Sequence, residues 1–236
     1  MNRLRSLIES HWAAKPSSML DGPYRKGGNR RVKGAARCLL GGQRLLDLGC
    51  GAGVLAQVLG SRYGEIHGLD LSARAVAAAA HRGMRAQTWD LNEAPLPYAD
   101  GAFDAVTALS VLQYVLDPVA LVREAARVVR PGGQVCLGCP NLRAMWRLVR
   151  LALLGRFPRV TRDAGYDGGT LHYFCRRDVE GLLTDAGLEV EASVGIFSWP
   201  GWLEARGDSV PAFSGLKREF LSGEILAIGR KRVAHS

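Results

Sequence analysis

From Arg44 onward, short apolar runs with strand character alternate with stretches whose apolar residues recur every three or four positions. That alternation is the pattern of a parallel sheet with crossover helices. It predicts strands over residues 44–48, 65–69, 84–89, 103–109 and 134–138, and helices over 54–63, 72–81 and 118–129. Ser72 stands as an N-cap before an alanine-rich run of high helix propensity, and Arg130-Pro-Gly-Gly133 ends a helix and turns the chain into the next strand.

After Pro140 the pattern changes. Residues 141–155 predict an amphipathic helix with Leu142, Met145, Trp146, Val149 and Leu153 on one side and Arg143, Arg147 and Arg150 on the other. A Gly- and Asp-bearing loop follows over 161–170, then a helix over 177–186 and strands over 188–196 and 224–228, with a Pro- and Gly-containing surface excursion between these strands. No internal repeat is visible.

At 236 residues the chain can build one α/β domain with a full core. Apolar residues make up 47% and charged residues 22%, a globular balance, and no apolar run approaches the ~18 residues of a membrane-crossing helix. Arg3, Arg5, Glu9 and His11 interrupt the first segment and leave no signal-peptide core, so a cytoplasmic setting is expected. The five cysteines, Cys38, Cys50, Cys136, Cys139 and Cys175, are odd in number and scattered, which fits a reducing compartment. Cys136 and Cys139 form a C-x-x-C inside an apolar strand without a second ligand pair, so they are expected to pack and no metal is expected.

The net charge of +9 favours phosphate-bearing or anionic-membrane partners in principle. Basic residues cluster at Arg30, Arg31, Lys33 and Arg37, but never in an unbroken block, so a solvated face accounts for them.

Candidate chemistry concentrates in Leu45-Leu-Asp-Leu-Gly-Cys-Gly-Ala-Gly53, a strand running into a glycine-rich turn and a helix. Bare backbone at Gly49, Gly51 and Gly53 admits close approach of a ligand, and the helix start offers unpaired N–H groups. A dinucleotide fingerprint would place its third glycine at position 54, where Val54 stands. Asp47 puts a carboxylate beside the turn, which would repel a pyrophosphate and favour a cationic ligand. Asp70 ends the second strand, 21 residues beyond Gly49 (70 minus 49), the offset at which an acid reaches ribose hydroxyls. Asp90 ends the third strand, where it can accept from an adenine amine. Three acids at three successive strand ends point to a nucleoside-like ligand without phosphates.

With the stretches 45–56, 67–72, 89–92, 96–104 and 127–133, these residues resemble the successive motifs of class I S-adenosylmethionine-dependent methyltransferases, over residues 44–140. The resemblance implies an α/β fold: a Rossmann-like doubly wound sheet of about seven strands, mostly parallel with an antiparallel last strand. It implies S-adenosyl-L-methionine as cofactor and S-adenosyl-L-homocysteine as product. By position it implies Asp47, Gly49, Cys50, Gly51 and Gly53 near the methionine part, Asp70 on the ribose, Leu71 on the adenine face, Asp90 and Leu91 at the adenine edge, and Ser110 at the methionine end.

Residues 103–190 are also similar to the methionine biosynthesis protein W family, through 109–113, Pro140-Asn141, 151–156, Leu171-His-Tyr-Phe-Cys175 and Arg177-Asp178, and to ubiquinone-type O-methyltransferases, through Gly169-Thr-Leu-His172 and 182–191. The expected acceptor is a small molecule methylated on oxygen or nitrogen. His172 is the candidate general base, and Tyr24, Gln113, Tyr114, Asn141 and Tyr173 are candidates for lining the acceptor. Residues 1–40 are expected to form a helical cap on a methyltransferase domain over 41–236, with 141–176 as a substrate-side helix and loop.

The arginine-bearing helix suits a substrate lid, contact with an anionic membrane surface, or core packing with exposed arginines. An accessory role beside an acyltransferase partner is the alternative that the W-type resemblance raises. DNA is not an expected partner. RNA is disfavoured because no aromatic-basic interleaving or added RNA-binding module is visible, and nothing in the sequence sets the oligomeric state.

Overall fold

The computed structural model describes residues 30–156, 170–197, 212–213 and 219–233, together with Ser6, Glu9 and Ser10. A single sheet organises them, in the order β3-β2-β1-β4-β5-β8-β6-β7. The strands are β1 (Gly42–Leu48), β2 (Tyr63–Asp70), β3 (Arg85–Thr88), β4 (Phe103–Leu109), β5 (Val129–Pro140), β6 (Leu188–Phe197), β7 (Ala212–Phe213) and β8 (Ser222–Lys231). Strands β1 to β5 pair in parallel, and β8 slots antiparallel between β5 and β6. Seven substantial strands with an antiparallel last one match the expected architecture, and β7 adds a two-residue edge.

The central strands are apolar throughout because both faces are covered. On one face, α1 (Arg30–Cys38), α2 (Val54–Leu59) and α3 (Ala73–His81) enclose Val32, Leu45, Leu55, Ala79 and Cys136. On the other, α4 (Pro118–Val128) and α6 (Arg176–Asp185) enclose Leu46, Leu48, Phe103, Leu121, Val179 and Cys139. Cys136 and Cys139 therefore belong to opposite faces of β5, so the C-x-x-C is two packing residues.

Local chemistry sets most boundaries. The Ser72 hydroxyl accepts from the Ala75 amide at 3.3 Å, and Asp117 accepts from Ala120 at 2.9 Å with Pro118 at the first helical position. Helix α2 stops at Leu59, short of the expected Tyr63, because Gly60 adopts φ +56° and a tight turn follows. Strand β5 starts before Arg130-Pro-Gly-Gly133, which forms an irregularity in the β4–β5 register instead of a clean turn. Gly133 is required there, since a Cβ would stand 2.6 Å from the Asp104 carbonyl oxygen.

The helix expected over 141–155 departs furthest from expectation. Asn141 folds 141–144 into a turn by accepting the Arg143 amide at 3.0 Å, so helix α5 spans only Met145–Leu154. Its orientation overturns core packing: Arg147 turns inward onto the carbonyls of Asn141 and Gly223, and no residue of α5 is buried. No helix among the described residues is long and apolar enough to cross a membrane.

Asp104 ties the base of the sheet together. One carboxylate oxygen accepts the Gln43 and Arg44 amides, both at 2.7 Å, and the other accepts Arg130 Nε at 2.6 Å. Partial burial acts to raise its pKa, but the bonds from Arg44, Arg130 and Gln43 outweigh it and hold the carboxyl below its ordinary range. A depressed carboxyl contributes stability above its unfolded pKa and loses it as pH falls through the folded one. Asp104→Asn is expected to lower the thermal midpoint at pH 7 by roughly 3–8 °C. In melts taken at decreasing pH the gap to the wild type should narrow below the ordinary carboxylate range.

Candidate active site

The carboxyl ends of β1, β2, β4 and β5 lie along one edge of the sheet, where the turn after β1 carries three glycines without side chains. Gly49, Gly51 and Gly53 all have positive φ, at +70°, +50° and +76°. Packing enforces two of them: a Cβ on Gly49 would lie 2.7 Å from Val111, and one on Gly53 would lie 2.9 Å from Ala79 and the Met84 sulfur. The amides of Gly49 and Cys50 both donate to the Leu69 carbonyl, at 2.8 and 3.0 Å, which pins the turn to the end of β2. Cys50 turns its side chain into the core against Gly68, so only its backbone belongs to the turn.

Asp70 completes this turn. One of its oxygens accepts the Gly51 amide at 2.8 Å and the other the Ser72 amide at 3.0 Å. The two bonds fix the orientation of the carboxylate at the carboxyl edge of the sheet.

Asp47 lies deeper and is 4% exposed. The Thr107 hydroxyl donates to it at 2.6 Å. Burial pushes its carboxyl up to about 7; the Thr107 bond and the charge of Arg31 pull it down, and the Asp70 charge pushes it up further. Two carboxylates side by side, one of them this poorly compensated, form a site for a cation and oppose an anion.

Arg31, assigned to a solvated face by sequence, lies at this same edge. The first turn of α1 carries it there, and its Nη1 donates to the Ser110 hydroxyl at 2.5 Å and to Glu224 at 3.0 Å. Its Nε is buried without a hydrogen-bond partner. Ser110 itself has φ +57°, an unusual conformation for a residue with a side chain, held by its amide on the Gly138 carbonyl at 2.7 Å. A carboxylate reaching this edge would find the orphaned guanidinium N–H. The residues present thus fit a zwitterionic amino acid joined to a ribonucleoside.

Leu71 and Leu91 are half-buried beside the ends of β2 and β3. One oxygen of Asp90 is engaged by the amide and side chain of Asn92, at 3.0 and 2.8 Å, so this acid also shapes its own turn.

The acceptor candidates separate into two kinds. Gln113, in the short turn after β4, is 2% exposed and its Oε1 has no partner. Its carbonyl accepts the amides of Leu171 and His172, at 2.8 and 3.3 Å, which seats the segment 170–173 against it. His172 Nε2 lies 3.0 Å from the Val115 carbonyl and must carry the proton to donate, leaving Nδ1 as the basic nitrogen of the neutral ring. Tyr114 and Tyr173 are half-buried in the same two segments. Asn141 belongs to the framework instead: it is fully buried, and its amide donates to the carbonyls of Glu219 and Ser222 at 2.8 and 2.9 Å. Tyr24 lies outside the described residues.

Sequence reading missed Arg31, Thr107 and Glu224. Thr107 had a signal, as the one hydroxyl within the apolar run 103–109, on the same face as its register partner Asp47. Arg31 and Glu224 had none, because tertiary packing alone unites them.

Comparison with known proteins matches residues 46–137 to a methyltransferase domain family. A ubiquinone biosynthesis O-methyltransferase of Thiobacillus denitrificans is 31% identical over 170 residues, covering 68% of this chain and 70% of that protein. One of Albidiferax ferrireducens is 38% identical over 110 residues, 44% of each chain. The chain spans about half the length of some curated relatives that it matches. Among solved structures, a SAM-dependent methyltransferase of Thermotoga maritima superposes with a TM-score of 0.69 at 19% identity, covering 97% of this chain and 100% of that one.

The Asp47 carboxyl, raised to about 7 by burial, holds a proton in the folded chain that the unfolded chain has already released. Stability of the ligand-free protein is therefore expected to fall as pH rises from about 4 to 7 and then level off. Asp47→Asn should remove that slope and raise the thermal midpoint at pH 8 by several degrees, measured by calorimetric melts at stepped pH.

Proposed function

Because the chain belongs to the class I S-adenosylmethionine-dependent methyltransferase family, we propose that it transfers the methyl group of S-adenosylmethionine to a hydroxyl oxygen of a small-molecule acceptor. The pairing of Asp47 with Asp70 around a bare glycine turn carries the cofactor half of this reading. S-adenosylmethionine supplies a sulfonium-bound methyl group that an oxygen lone pair can displace in line. Asp70, held by the Gly51 and Ser72 amides, suits the ribose hydroxyls. Asp47 suits the cationic end of the cofactor, and the orphaned Arg31 Nε suits its carboxylate.

Oxygen as the acceptor atom is supported by the relatives, which are O-methyltransferases by name. It also fits a base with a fixed tautomer. A hydroxyl must shed its proton as the new C–O bond forms, and His172 Nδ1 is the basic nitrogen beside the acceptor turn. Gln113 Oε1, buried without a partner, can accept from an acceptor hydroxyl and orient it. A cytoplasmic setting belongs to the same reading, and the five free thiols support it.

Two measurements test the proposal. Titration calorimetry with S-adenosylmethionine should show micromolar binding, weakened at least about 100-fold by Asp70→Ala through loss of charge-assisted ribose contacts; undiminished affinity would remove the site. In assays of S-adenosylhomocysteine release across a panel of phenols, His172→Ala should cost about 10²-fold or more in kcat. An unchanged rate would remove the base.

A further inference from the structure

One side chain joins the turn after β3 to the turn after β4. Asp90-Leu-Asn92 closes an Asx-turn, in which a carboxylate oxygen of Asp90 accepts the backbone amide and the side-chain amide of Asn92, at 3.0 and 2.8 Å. The Asp90 carbonyl accepts the Glu93 amide at 2.9 Å, and Trp89 Nε1 donates to the Glu93 carbonyl at 3.2 Å, so the turn is braced along its length. With its nitrogen committed to Asp90, the Asn92 side chain accepts the Leu116 amide on its oxygen at 2.7 Å. Holding both ends takes a side chain with a donor and an acceptor, as asparagine has.

The Leu116 N–H and the Val115 carbonyl belong to one peptide unit, which is planar and rigid. Its N–H is fixed by Asn92, and its carbonyl accepts His172 Nε2 at 3.0 Å. The two bonds reinforce each other, because an N–H that donates to Asn92 leaves its carbonyl the stronger acceptor. A stronger acceptor favours the ring form with its proton on Nε2, and a fixed carbonyl fixes the direction in which Nδ1 faces. The main chain of His172 is anchored separately, through its amide on the Gln113 carbonyl at 3.3 Å. Backbone and ring are therefore held at two points of the segment 113–116, and Asn92 governs the second.

We propose that Asn92 is a positioning residue for His172: through the Val115–Leu116 peptide it selects the ring nitrogen left basic for the acceptor, and it ties that peptide to Asp90. The proposal rests on the methyl-transfer reading for its chemistry. On that reading Asp90 lies on the cofactor side, so a nucleoside settled against it would steady the turn at 89–93. Through Asn92 the same contact would steady the carbonyl that directs the base.

The test is long-range proton–nitrogen correlation of the His172 ring in the full, isotope-labelled chain without ligand, in mildly alkaline buffer, with amide exchange at Leu116 measured alongside. The wild-type ring should carry its proton on Nε2. In Asn92→Ala the Leu116 amide should exchange roughly tenfold faster, and the ring should become a mixture of the two tautomers. Leu116 is 51% exposed, so water can replace Asn92 on its amide, and the thermal midpoint should stay within about 2 °C of the wild type. Turnover by this variant should fall about three- to tenfold, with the loss in kcat more than in KM for S-adenosylmethionine. In a His172→Ala background the Asn92 change should cost nothing further. A wild-type ring protonated on Nδ1, an unaltered ring in Asn92→Ala, or full additivity of the two losses would each overturn the proposal. Calorimetry that finds no S-adenosylmethionine binding by the wild type would instead count against the methyl-transfer reading, and the ring spectrum would still decide whether Asn92 sets the tautomer.

Discussion

A buried carboxylate, Asp47 on β1, with a second buried carboxylate, Asp70, at the end of the neighbouring parallel strand, sets the terms for the rest of this molecule. Asp47 is buried and accepts a hydrogen bond from the Thr107 hydroxyl, and Asp70, whose charge acts on it, is itself buried. A buried charge so arranged destabilises the ligand-free fold by something on the order of a few kcal/mol above pH 7. Folding tolerates that cost because the surrounding sheet is apolar on both faces and packed by five helices. On the proposed reading, a cationic ligand at the carboxyl edge would relieve it, and a defect in the empty protein would become the source of affinity in the occupied one.

The remaining site features serve that pair. The glycine turn brings the Gly51 amide onto Asp70, and its three glycines carry no side chains. Val111 and Met84 pack so closely against Gly49 and Gly53 that neither position could carry a side chain without displacing its neighbour. Arg31 moderates the field and, through Ser110 and Glu224, ties α1 and β8 to the end of β4. Electrostatics and packing thus select the same ligand: a nucleoside bearing a zwitterionic amino acid and no phosphate.

Much of this was legible because it depends on local pattern. The alternation of apolar runs predicted the sheet, and the strand-end acids Asp47 and Asp70 were placed by counting from a turn whose chemistry is short-range. The readings that failed required knowledge of the third dimension. Arg31 sits two positions from Lys33 in a basic cluster, and nothing in that cluster says which guanidinium is turned inward. Asn141 looked available to an acceptor, yet its amide is consumed by carbonyls some eighty residues away. Periodicity identified α5 as amphipathic and gave no sign that its charged side would face the protein, because a period reports the existence of two faces and not their direction.

The most direct test of the central claim is a crystal structure of the full chain with S-adenosylhomocysteine. The account predicts both ribose hydroxyls on Asp70, the amino group of the homocysteine part on the Asp47 side of the glycine turn, and its carboxylate on Arg31. A ribose elsewhere, or a nucleotide phosphate seated against Gly49–Gly53 beside Asp47, would contradict it.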